Sequence, residues 1–129
     1  PGYLMVASKE PVTSFTDLTD AAMIAFGPLS LRVYRAMETL LRPINITVGK
    51  YGWTPGFAPH FHFIPIYDWL VDAFSGRYDS ASADGMTLAA FVSEEFRDLN
   101  LPGYLPTTPR RRQVVQDLRE LMAPPTNET

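Results

Sequence analysis

The chain predicts an α+β domain, an antiparallel sheet packed against one long helix with a C-terminal helical extension, and three features of its 129 residues carry that reading. Apolar side chains between Thr19 and Leu41 recur at spacings of three and four, as on one face of a helix. Two β-rich runs, Asn45–Tyr51 and Phe57–Ile64, are separated by a short turn containing glycine, for which an antiparallel hairpin is the simplest topology. A further apolar run, Tyr3–Ala7, precedes the helix and supplies another strand.

Taken in order, Tyr3–Ala7 lies between Gly2 and Ser8-Lys9-Glu10-Pro11 and reads as a buried strand. A core strand this close to the first residue leads us to expect further chain upstream. The long helix has Thr19 as its N-cap, Asp20 in the first turn, and Arg42-Pro43 as its stop. Its apolar face is Ala22, Phe26, Leu29, Val33, Met37 and Leu40, and Gly27-Pro28 predicts a kink or two abutting helices, because an interior proline removes a hydrogen bond and clashes with the preceding turn. In the hairpin, Pro55-Gly56 suits the centre of a type II turn, and Pro65 is expected to end regular pairing of the second strand. Tyr67–Phe74 reads as a helix and residues 75–84 as a loop. The segment Thr87–Phe96 fits a strand or a helix, with Leu88, Phe91, Val92 and Phe96 favouring the helix. Thr108-Pro109 opens a last helix whose stripe is Val114, Val115, Leu118, Leu121 and Met122.

Composition narrows the function classes. With 46% apolar and 19% charged residues, we expect one domain over 1–123, its C-terminal extension beginning near residue 75, followed by a frayed tail at 124–129. A net charge of −3 disfavours a nucleic-acid binder, although a single nucleotide needs only a few local donors. No cysteine is present, which removes disulfides, thiolate nucleophiles and cysteine-based zinc sites and suits a cytoplasmic setting. No run reaches the roughly 18 apolar residues of a membrane span, so no membrane partner is expected. No cofactor is called for.

The chemistry concentrates in Phe57-Ala58-Pro59-His60-Phe61-His62-Phe63-Ile64, which holds both histidines of the chain. Residues two apart on a strand share a face, so His60 and His62 project together while Phe61 and Phe63 turn the other way. A strand with one polar face explains the same alternation without chemistry. Zinc is disfavoured, because a site needs three or four protein ligands and the remaining candidates, Asp68 and Asp72, cannot be placed beside the imidazoles from sequence. Trp53 and Trp69 could stack on a base, but large aromatics in such positions are more often core. Arg110-Arg111-Arg112 reads first as a solvated helix face.

These residues resemble the histidine-triad (HIT) superfamily of nucleotide hydrolases and transferases. Its motif is His-φ-His-φ-His-φ-φ, with φ apolar, often running on into Pro-x-Tyr, and His60-Phe61-His62-Phe63-Ile64-Pro65-Ile66-Tyr67 matches the second half without a gap. Upstream, Pro1-Gly2-Tyr3-Leu4-Met5-Val6-Ala7-Ser8-Lys9 looks like the family's Pro-Gly-His-Leu strand and its Pro-Lys ending, so the likeness spans about residues 1–70. Without gaps, Ala58 stands where the first histidine would, His60 takes the nucleophile's place and His62 the third. A rival register makes His62 the nucleophile and Ile64 the lost third histidine. Gly52 fits the family's glycine, Lys50 stands at its asparagine, and Phe57 replaces a polar residue after Gly56.

The resemblance implies a HIT-like sheet, a homodimer, and a nucleotide or nucleoside phosphate as partner. It also implies a nucleotide phosphoramidase or dinucleoside polyphosphate hydrolase with His60 and His62 catalytic and Lys50, Gly52 and Gly56 binding phosphate. Glycines at 52 and 56 would let backbone N–H groups approach a phosphate closely. The competing expectation is a non-catalytic nucleotide-binding or dimerisation module of the same fold, which Ala58, Lys50 and Phe57 favour.

Overall fold

The computed structural model describes residues 2–50, 58–79, 83–85, 87–91 and 108–123. Strand β1 (Leu4–Ala7) leads through a 3-10 turn at Phe15–Asp17 into helix α1 (Asp20–Leu41), followed by β2 (Asn45–Gly49), β3 (His60–Ile66) and helix α2 (Asp68–Ser75). A helical segment α3 (87–91) and helix α4 (Thr108–Met122) complete the described elements. Among the described residues the sheet has three strands in the order β1-β3-β2, and both pairings are antiparallel, which makes the histidine strand central. The architecture is α+β, as the patterning predicts.

Helix α1 starts where the sequence places it. The Thr19 side chain accepts from the Ala22 N–H, and Glu10 in turn accepts from the Thr19 hydroxyl at 2.7 Å, which ties the loop after β1 to the helix start. At its other end Arg42 takes a left-handed conformation, φ 47°, and returns its N–H to Glu38. Gly2, at φ 99°, sits against this end, and a Cβ there would overlap the Leu41 side chain.

Two cores form on opposite faces of the sheet. On one, Phe63 and Ile46 pack with Val33, Ala36 and Met37 of α1 and Leu118 of α4, while Leu4, Val6 and Phe61 extend the contact. On the other, Ile64 and Ile66 pack under Leu70 and Phe74 of α2 and Leu88, Ala89 and Phe91 of α3. Burial of each of these large side chains contributes about 1.5–3 kcal/mol, enough to hold the helices in place.

Several expectations need correction. Pro28 neither splits nor ends α1, which runs unbroken for 22 residues. Pro28 is exposed and Ile24, whose carbonyl it deprives of a partner, is 75% exposed, so water can supply the missing hydrogen bond. Pro65 does not end pairing either: it lies opposite Ile46, and the ladder continues to Ile66. The register with β1 stops at Phe63, so at Pro65 the strand has a neighbour on one side and no N–H is required on the other. Strand β1 is a half-exposed edge instead of a buried strand, with Met5 60% exposed. The apolar stripe of α4 is narrower than predicted, for Val115 and Leu121 face solvent while Val114, Leu118 and Met122 meet the core. The proposed turn at 52–56, Val92, Phe96 and the tail at 124–129 lie outside the described residues.

Candidate functional site

Strand alternation puts His60 and His62 on the face of β3 that also carries Ile64 and Ile66. Helices α2 and α3 cover the isoleucine end of that face. Ala7 of β1 lies opposite His60, and Met5 of β1 and Gly49 of β2 flank His62. The imidazoles themselves meet edge to face, 4.8 Å between centroids, and both are half-buried.

Hydrogen bonds distinguish the two rings. Nδ1 of His60 lies 2.9 Å from the Ala58 carbonyl oxygen. A carbonyl can only accept, so Nδ1 carries the proton and the Nε2 of the neutral ring keeps its lone pair. His62 instead directs Nδ1 at the Tyr3 hydroxyl, and its Nε2 is shielded from solvent. Burial, followed by the charge of His60, pulls the His62 pKa below the ordinary imidazole value of 6.5, so this ring is neutral at physiological pH.

The other predicted site residues are distributed unevenly. Lys50 is exposed, one residue beyond Gly49, and Gly52, Trp53 and Gly56 lie outside the described residues. Asp68 and Asp72 sit on α2, both exposed, and among the described residues no group of three or more potential ligands could hold a metal ion. Trp69 is not core: it is 41% exposed and stacks on Tyr67 at 6.0 Å. Tyr3 is the residue whose part in the site the spacing pattern does not disclose. Its only signal in the sequence is its place in the Pro-Gly-His-Leu likeness, where it stands for a histidine.

A cavity of about 290 Å³ lies on the opposite face of the sheet, between Val6, Phe61 and Pro59 on one side and Phe26 and Leu29 of α1 on the other. It is distinct from the histidine face. Among the described residues no helix is long and apolar enough to cross a membrane. No protein-family model matches the chain, and no curated protein matches it.

Proposed function

We propose that the protein is a nucleotide-phosphate hydrolase or nucleotidyl transferase of histidine-triad type, with His60 as the nucleophile and His62 as its electrostatic partner. The hydrogen bond from His60 Nδ1 to the Ala58 carbonyl supports this reading most, because it leaves Nε2 as the nitrogen with a lone pair. It also favours the register in which His60, and not His62, takes the nucleophile's place. In the first step the Nε2 lone pair forms a bond to the α-phosphorus, the bond from phosphorus to the leaving group breaks, and the departing atom takes a proton from solvent. Water or another hydroxyl acceptor then attacks the same phosphorus and releases its proton to solvent, the P–N bond breaks, and the imidazole is regenerated. An N–H donor on the neighbouring ring would stabilise the negative charge that builds on the phosphoryl oxygens. The same reading includes a cytoplasmic homodimer, for which the two sheet edges and the exposed Met5 and Ile24 offer surface.

A second reading, a non-catalytic nucleotide-binding or dimerisation module, is favoured by the shielding of His62 Nε2 and by Ala58 in place of a histidine. Incubation with adenosine phosphoramidate and dinucleoside polyphosphates separates the two when product release, covalent adduct by intact mass and nucleotide binding are followed together. The enzyme reading expects an adduct that His60→Ala abolishes and His62→Ala weakens. Binding without turnover selects the module, and an adduct that survives His60→Ala rejects the assignment of the nucleophile.

A further inference from the structure

Tyr3 is a polar side chain for which the nucleotidyl reading has no use, yet it meets His62 from the residue just before β1. Its hydroxyl hydrogen-bonds Nδ1 of His62. Its ring stacks on the imidazole, 5.6 Å between centroids and 15° between planes. We infer that Tyr3 is the positioning residue of the pair: its hydroxyl donates to Nδ1 of His62 and holds that ring as the Nε2–H tautomer, opposite to the Nδ1–H tautomer that Ala58 imposes on His60.

The direction of the bond follows from the chemistry of its two atoms. An imidazole nitrogen is a much stronger base than a phenol oxygen, and a phenol is a good donor, so O–H···N is the favoured sense. The ring can accept because it is neutral, burial and the neighbouring His60 both opposing its protonation. With Nδ1 accepting, the ring proton resides on Nε2. Turning the imidazole over would break the hydrogen bond, which fixes the ring's orientation as well as its tautomer. The pair therefore carries one lone pair and one N–H on its two ε nitrogens, whereas identical tautomers would give two of one kind. The consequence for catalysis rests on the proposed nucleotidyl chemistry: a phosphoryl oxygen that displaced the cover now shielding Nε2 would meet a hydrogen-bond donor on an uncharged His62.

The test reads the tautomers directly. In the full chain labelled with ¹⁵N, two-bond proton–nitrogen correlations at about pH 8 report which nitrogen of each neutral ring is protonated. The chain has only two histidines, so His60→Gln assigns both. The expected result is Nδ1–H at His60 and Nε2–H at His62, with the His62 Nδ1 resonance moving toward the average of two tautomers in Tyr3→Phe while His60 stays unchanged. Phenylalanine keeps a ring for the stack and removes the donor. A His62 ring that is Nδ1–H or mixed in the wild type, or an Nδ1 resonance unmoved in Tyr3→Phe, overturns the inference. Should Tyr3→Phe fail to fold, an Nδ1–H or mixed His62 ring in the wild-type spectrum still overturns the inference. Adduct formation is expected to slow about two- to tenfold in Tyr3→Phe, the effect of losing one net hydrogen bond. Opposite tautomers with no adduct in the wild type would remove the nucleotidyl reading and leave the role of Tyr3 standing.

Discussion

One face of β3 carries two different environments within seven residues. At its C-terminal end Ile64 and Ile66 are sealed beneath α2 and α3, 6% and 3% exposed, while at its N-terminal end His60 and His62 remain half-buried beside Ala7 and Gly49. The backbone is the same extended strand throughout. What differs is the cover, and the residue types follow it: aliphatic side chains where helices exclude water, imidazoles where the polar nitrogens find partners such as the Ala58 carbonyl and the Tyr3 hydroxyl. One strand is thus sealed by helices at one end and only half-covered at the other.

The largest test of this contrast is a pair of substitutions on the strand. Ile64→Ala should lower unfolding stability by about 2–5 kcal/mol, whereas His60→Gln should stay within about 0.5 kcal/mol of the wild type in urea titrations. A His60→Gln loss as large as that of Ile64→Ala would show that the histidine end is structural core. A smaller effect sharpens the covered end. Gly85 lies against β2 so closely that a Cβ would overlap the Thr47 side chain, and Gly85→Ala should cost about 1–3 kcal/mol. In a Thr47→Ala background the same change should cost less, because the obstructing hydroxyl and methyl are gone, and equal costs in both backgrounds would place the strain elsewhere.

The smallest effect concerns the open end and pH. The folded-state pKa of His62 lies below its unfolded value, so between the two the unfolded chain binds more protons. Its contribution to stability is therefore complete above about pH 6.5 and is lost as pH falls from there through the folded pKa. Denaturation midpoints followed from about pH 7.5 to 5.5 should show a decline that is shallower in His62→Gln. Identical slopes would mean that burial of this ring carries no proton linkage.

Much of the fold was legible because it rests on local patterns. The cap at Thr19, the stop at Arg42, the 3.6-residue period of α1 and the alternation of β3 are each written in adjacent residues. Pro28 and Pro65 misled because their effect depends on what lies beside them: solvent at one, the end of a neighbouring strand at the other. The breadth of the α4 stripe was overestimated for a related reason, since a helix shows every apolar residue in its sequence but only its partners decide which of them are covered.

The candidate site divides in the same way. Alternation alone determined that His60 and His62 share a face and that the phenylalanines between them turn toward the other, since side-chain direction along a strand reverses at each residue whatever surrounds it. The Ala58 carbonyl that selects the proton position on His60 is two residues away and as local as the alternation, whereas the antiparallel pairing that brings Tyr3 to His62 and the helices that seal Ile64 and Ile66 were decided by tertiary structure. Those depend on contacts between residues as much as 59 positions apart, which no local pattern records.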